Sequence, residues 1–327
     1  MVDPTNSPAG PAPVARRAAG GRRLAGALVV LVAAVGTVTA CTAAPTSAPA
    51  TTATPATTTV IAACRAGDHE LVHDGVARRY RLAVPDGATA PPPLVVDLHG
   101  HGGSIEKQDA NTGLSAAGTT RGFAVVTPQA LGEPSRWNFR RQADQPDDLG
   151  FLDALLTDLI GRGCADPDRI YAAGHSNGAA FAAVLACSPP NRLAAVAMVS
   201  ATTPAACPDG IAPAVLAIAG TADPTVPYDG KAGVAPPANA TIDAYADRYG
   251  CSVPTAGEPW PGVRRRAHLD CRGGAAVVLD TVEGGLHPWP GGPAAQLEAN
   301  SAAGRTFPAT EEVLTFFDGR RRTWPEG

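Results

Sequence analysis

Lysine is nearly missing from this chain of 327 residues: Lys107 and Lys231 are the only two, so almost all basic charge is arginine. With abundant Ala, Gly and Pro alongside it, the scarcity reads as compositional bias rather than function. Positive charge is not in excess either. The formal net charge is −4, and the first 40 residues hold four arginines against one aspartate, so the rest is more acidic still. Phosphate binding needs a basic face, which excludes nucleic acid as a partner. The run Arg264-Arg265-Arg266 is short and reads as a solvated strand edge. Cys-x-x-Cys and zinc-type spacings are absent, and neither a metal nor another cofactor is expected. Nothing suggests a fibrous or wholly disordered chain, since 45% of residues are hydrophobic. That is enough to bury one large core.

What is present begins with an N-terminal extension. The pairs Arg16-Arg17 and Arg22-Arg23 precede an apolar run from Leu24 to Val35, which weakens through Gly36-Thr37-Val38-Thr39-Ala40. The run is short for a stable membrane span and suits a secretory signal. Val38-Thr39-Ala40-Cys41 resembles a lipobox, so residues 1–40 read as a lipoprotein signal peptide and Cys41 as the acylated new N-terminus. An ordinary signal peptide with a chance cysteine is the alternative. Residues 41–62 are nearly all Ala, Thr, Pro and Ser, a disordered tether spanning on the order of 25–30 Å. Residues 63–321 form the expected catalytic domain and 322–327 a tail. The expected location is the outer face of the cell membrane, touched through the lipid only, or the space beyond it. Six cysteines then remain in an exported chain, which suggests three disulfides. Local pairing favours Cys187–Cys207 and Cys251–Cys271, leaving Cys64–Cys164, although some could stay free.

From Cys64 the pattern is globular. Arg78 to Val84 alternates like a half-exposed strand, whereas Leu94 to Leu98, Phe123 to Pro128, Arg169 to Ala173, Leu193 to Val199 and Ala214 to Ala219 are continuous apolar runs. Such runs predict parallel strands covered on both faces. Helices are expected from near Asp147, where Leu152, Leu155, Leu156 and Leu159 share one face, at Ala179 to Ala186, at Ala240 to Tyr249 and at Ala309 to Phe317. Val263 to Leu269 and Ala276 to Leu279 read as further strands. Strands alternating with helices define an α/β fold with a mostly parallel central sheet and helices on both faces. Asp147 and Asp148 are most simply acidic residues favoured by the helix dipole. A lesser reading has Asp148 holding the preceding loop beneath the site.

Chemistry concentrates at strand ends. Gly174-His175-Ser176-Asn177-Gly178 joins a strand to a helix and reads as a nucleophile elbow presenting the Ser176 hydroxyl. Asp223 follows the strand that ends near Gly220 and, considered alone, would be an Asx-type turn before Pro224. His287 follows the final core strand in a loop bounded by glycines and prolines. The chain order Ser176, Asp223, His287 is that of an α/β-hydrolase triad. His99-Gly100-His101-Gly102-Gly103 can offer backbone N–H groups, so His101 and Asn177 are the expected oxyanion donors. A His-x-His metal site is the alternative there, discounted because no ligand cluster sits nearby.

Together these segments resemble the polyhydroxybutyrate depolymerase and feruloyl esterase group, and especially its lipid-anchored bacterial members. The likeness is carried by Leu98-His99-Gly100 with Gly102-Gly103-Ser104, by Asp147 to Leu152, by Gly174 to Ala179, by Gly220 to Tyr228 and by Gly284 to Gly291. It covers about residues 64–320. Two departures stand out. His101 replaces the cysteine often found after the His-Gly pair, a change that a backbone donor tolerates, and Leu286 replaces a flexible glycine beside the base. The resemblance implies hydrolysis of carboxylic esters through an acyl-enzyme on Ser176, with Trp137 and Trp289 lining an acyl or aryl pocket. Feruloyl or acetylxylan esters on plant polysaccharide are the alternative substrates. No stretch after residue 320 is long enough for a separate polymer-binding domain, which speaks against efficient attack on solid polyester. A serine peptidase and a non-catalytic binding module on the same fold are the competing readings.

Overall fold

The computed structural model describes residues 64–204 and 207–323. The signal peptide, Cys41, the tether and the last four residues of the tail lie outside the described residues.

The apolar runs form the middle of a ten-stranded sheet. Strands β3 (Leu94–Leu98), β4 (Ala124–Pro128), β5 (Ile170–His175), β6 (Ala195–Val199), β7 (Ala214–Gly220) and β10 (Val277–Val282) lie parallel in the order β4-β3-β5-β6-β7-β10. Their residues alternate between two cores. Leu94, Val96 and Leu98 of β3 face one cluster with Phe151, Leu155, Phe181 and Ile242, while Val95 faces the other with Leu114, Phe307, Val313 and Phe317. A sheet loaded on both faces leaves no polar side to its central strands.

Helices cover those faces. Against the first core lie α3 (Asp148–Gly161), α4 (Asn177–Ala186) and α5 (Ala238–Tyr249). Against the second lie α2 (Leu114–Thr120), α6 (Ala302–Thr306) and α7 (Ala309–Phe317). The helix α1 (Ile105–Thr112) starts at Ser104, whose hydroxyl accepts from Lys107 N, and ends at Gly113 in the left-handed region. The periodicity predicts neither α1 nor α2, because polar residues and glycine break their apolar repeat.

Antiparallel strands close both sheet margins. On one side β1 (Gly67–His73) and β2 (Val76–Ala83) form a hairpin, with β2 against β4. Its two-residue turn, Asp74-Gly75, has φ of 50° and 75°, an Asp-Gly hairpin signal masked in the sequence by the polar character of β1. On the other side β9 (Val263–His268) pairs with β10, and β8 (Thr255–Trp260) pairs with β9. All of β8 is exposed and it carries Pro259, which suits an edge and hides it from a hydrophobicity reading. Arg264, Arg265 and Arg266 are therefore not a sheet edge. They meet Glu283, Asp280 with Glu312, and Asp243 respectively.

Disulfides join Cys64 to Cys164, Cys187 to Cys207 and Cys251 to Cys271. Among the described residues, no helix is long and apolar enough to cross a membrane.

Candidate active site

The turn from β5 into α4 is tight enough to require its glycines. A Cβ on Gly178 would stand 2.1 Å from the Leu98 carbonyl oxygen, and one on Gly174 would stand 2.3 Å from the Gly178 carbonyl carbon. Between them Ser176 adopts φ 54° and ψ −115°, a conformation unfavourable for a residue with a side chain. The Ser176 amide donates to the Val199 carbonyl at 2.9 Å, so that group is engaged with β6.

The other two residues arrive on converging loops. At the end of β7, Gly220 lies so close to the β10 loop that a Cβ there would stand 2.2 Å from the Gly285 oxygen. Ala222 N donates to the same oxygen at 3.0 Å. Asp223 is buried and divides its carboxylate: Oδ1 accepts from Thr225 N and Val226 N at 2.8 and 2.9 Å, and Oδ2 accepts from His287 Nδ1 at 2.7 Å. It forms the Asx-type turn and also meets the histidine. Because Nδ1 donates to the carboxylate, the neutral ring offers Nε2 as an acceptor, 3.0 Å from Ser176 Oγ. Leu286 N donates to Asn300 Oδ1 at 3.0 Å, which fixes the chain just before the histidine.

His175 supports this arrangement from below. Its Nε2 lies 2.9 Å from the His287 carbonyl oxygen and must carry the proton, since the oxygen can only accept. Burial pulls its pKa from 6.5 down to about 4, which keeps the ring neutral and in that role.

The loop after β3 is braced by side chains rather than by regular structure. Buried His99 donates through Nδ1 to Gly100 O at 2.8 Å and accepts at Nε2 from Ala130 N at 3.1 Å; burial lowers its pKa. Both ring nitrogens are occupied, so His99 and His101 do not form a metal pair. Gly102 N donates to Ser135 O at 2.7 Å, and Ser135 Oγ donates to Gly103 O at 2.6 Å. Among the described residues the His101 amide donates to none, and the Asn177 amide stands in the first turn of α4, where N–H groups lack intrahelical partners. The Asn177 side chain also clasps the neighbouring loop, with Oδ1 accepting from Trp137 N at 2.7 Å and Nδ2 donating to Trp137 O at 3.1 Å.

Trp289 corrects the expectation of an aromatic pocket lining, whereas Trp137 borders a cleft beside Asn177 with little of its surface exposed. Trp289 is wholly buried in the second core, with Nε1 donating to Thr310 Oγ1 at 3.1 Å, so its ring cannot meet a substrate. The Trp137 ring is also buried; it stacks on Phe181 at 5.2 Å and donates through Nε1 to His99 O at 3.0 Å. It supports the loop after β3 from beneath, because large aromatic area is better used in the core than in an open loop. Asp148 follows the lesser of its two readings. It is buried, accepts from Arg78 at 2.6 Å and from Asn138 N at 2.8 Å, and so fastens the loop before α3; Asp147 is the N-cap, accepting from Gly150 N at 3.0 Å. Burial pushes the Asp148 carboxyl upward, against the lowering by these partners.

Clefts open beside the relay. One of about 520 Å³ lies between Gly100–Gly103, Gln108, Asn111, His287 and Pro293. A second, of about 280 Å³, runs from Ser176 between Phe139, Ala180, Thr202, Val226 and Pro236. On the far hairpin, His73 Nε2 lies 3.5 Å from Asp74 and 3.6 Å from Asp147, a cluster separate from these clefts.

Sheet order, elbow and clustered strand ends define an α/β-hydrolase. The fold is shared with the acetyl xylan esterase from Aspergillus awamori, which superimposes with a TM-score of 0.54 at 15% identity, over 68% of this chain and 94% of that one. In sequence, the profile described as "Esterase PHB depolymerase" matches residues 78–234. The putative esterase NocK of Nocardia uniformis subsp. tsuyamanensis is 34% identical over 256 residues, 68% of this chain and 74% of that protein. Feruloyl esterase D of Neurospora crassa is 30% identical over 233 residues, 65% of this chain and 75% of that protein. The chain belongs to the polyhydroxybutyrate depolymerase and feruloyl esterase group of esterases.

Proposed function

We propose that the chain is a serine esterase that hydrolyses carboxylic esters through an acyl-enzyme. The observation that carries this reading is the continuous relay from Ser176 Oγ to His287 Nε2 at 3.0 Å and from His287 Nδ1 to Asp223 Oδ2 at 2.7 Å. In the reaction, Ser176 attacks the ester carbonyl as His287 removes its proton. The imidazolium then returns that proton to the departing alcohol, while Asp223 holds the tautomer and stabilises the cation. The His101 and Asn177 amides receive the developing oxyanion, each donor being worth about 10² to 10³ in rate. Water repeats the sequence on the acyl-enzyme and releases the acid.

Ser176→Ala is expected to lower kcat roughly 10⁶-fold with the circular dichroism spectrum unchanged. Turnover close to wild type would remove the assignment. Side-by-side assays on p-nitrophenyl acetate, a feruloyl ester, acetylated xylan and polyhydroxybutyrate rank the substrate classes. Feruloyl and acetylxylan esters are the second reading, supported by the feruloyl esterase relative. Absence of turnover on all four would favour a binding module.

The site is proposed to work outside the cell. Three disulfides fit an oxidising compartment, and the lipobox-like segment ending at Cys41 fits an anchor. Cys41→Ala should move the processed protein from the membrane to the soluble fraction. Continued partition with membranes after signal cleavage would discard the anchor.

A further inference from the structure

The segment between β4 and α3 borders a third cleft, of about 310 Å³, which shares His101 with one of the clefts beside the relay and Asn177 with the other. Its charged residues are Arg136 and Arg140, and no carboxylate lines it. In a chain whose net formal charge is −4, that is a local inversion of sign. Many arginines elsewhere are matched with acids, among them Arg78 with Asp148, Arg81 with Asp68, Arg169 with Asp166, Arg192 with Asp153 and Arg265 with Asp280, whereas Arg272 and Arg305 meet backbone carbonyls and Arg320 lies over Phe316. Arg136 instead donates to the neutral Gln145 Oε1 at 3.0 Å, and the Arg140 guanidinium stands 5.4 Å from the centre of the Phe139 ring. Among the described residues neither has an acid within 4.0 Å.

The cleft also adjoins the one that holds Ser176. Phe139 and Asn177 line both, so an ester seated on Ser176 that extends past Asn177 and Phe139 would run toward the arginines. Two exposed guanidiniums without acidic partners, beside one apolar face, match a group that is anionic, planar and attached to a short organic chain. We infer that the ester turned over at Ser176 carries a carboxylate, and that Arg136 and Arg140 receive it; this rests on Ser176 being the nucleophile. The carboxylate belongs either to the acyl part, as in a half-ester of a dicarboxylic acid, or to the alcohol part, as in a hydroxy-acid ester with a free acid end.

Two matched pairs separate these sources. On the acyl side, the p-nitrophenyl half-ester of glutaric acid is compared with p-nitrophenyl pentanoate. On the alcohol side, 4-acetoxybenzoate is compared with 4-acetoxybenzamide. In one pair the wild-type anionic-to-neutral ratio of kcat/KM should exceed that of the Arg136→Gln, Arg140→Gln double variant by about tenfold. The wild-type ratio should also fall as salt is raised, because exposed charges are screened. The neutral member of each pair reports whether the variant's site is assembled. Ratios that the double variant leaves unchanged in both pairs would overturn the carboxylate subsite. Failure of the folded wild type to hydrolyse any of the four esters would instead overturn the nucleophile assignment.

Discussion

Asp97 is a buried acid outside the relay, near the end of β3. Its side chain accepts from Gln108 Nε2 at 2.7 Å and lies 2.9 Å from Thr112 Oγ1. Burial pushes its carboxyl from an ordinary 3.8 up to about 7, more than these hydrogen bonds lower it, and the charge of Asp109 adds to the rise. A raised acid pKa means that the folded chain holds a proton which the unfolded chain has lost. This contribution to stability is therefore full below pH 3.8 and shrinks as pH rises to about 7. Asp97→Asn removes the titration and keeps the shape. Melting temperatures of wild type and variant, compared from pH 4 to 7, should show the wild type losing several degrees relative to the variant. A constant difference across that range would mean that Asp97 does not titrate there. His175 acts in the opposite sense: its lowered pKa makes protonation costly, so its contribution is lost as pH falls from 6.5 through about 4.

At the scale of elements, the elbow is a crossing point of β3, β5 and α4. Gly178→Ala would drive a methyl group into the Leu98 carbonyl. The backbone on both sides is buried and cannot give way, so a loss of about 3 kcal/mol or more in stability is expected. Urea denaturation measures it, and a midpoint equal to wild type would mean the strands can separate at no cost. The motifs at this crossing are legible in the sequence because elbows, Gly-rich loops and buried strands leave strong local patterns. What is not legible is carried by side chains whose partners are distant along the chain. Nothing near Asn177 announces that its amide clasps Trp137, 40 residues away, and nothing near Arg78 announces Asp148, 70 residues away. Trp289 misleads for the same reason: a loop position in sequence says little about which way a large ring turns. The hairpin β1–β2 is different, since Asp74-Gly75 marks it and only the polar character of β1 conceals it.

Across the whole molecule, the three disulfides divide the chain unequally. Cys64–Cys164 encloses a separation of 100 residues, whereas Cys187–Cys207 and Cys251–Cys271 each enclose 20. If cross-links act mainly by restricting the unfolded chain, the long one is worth about 5 kcal/mol and each short one about 3. The Cys64→Ser, Cys164→Ser double variant should therefore melt lower than either of the other two double variants. Equal melting temperatures would point to effects in the folded state instead.

The position of that long cross-link matters for more than stability. Cys64 precedes β1, and its partner Cys164 follows α3. If the chain ahead of Cys64 is fixed to a membrane, tension between that anchor and any point beyond Cys164 can cross from Cys64 to Cys164 through the covalent bond. For such a load the bond bypasses the residues between, among them the hairpin at the sheet margin and the loop after β3.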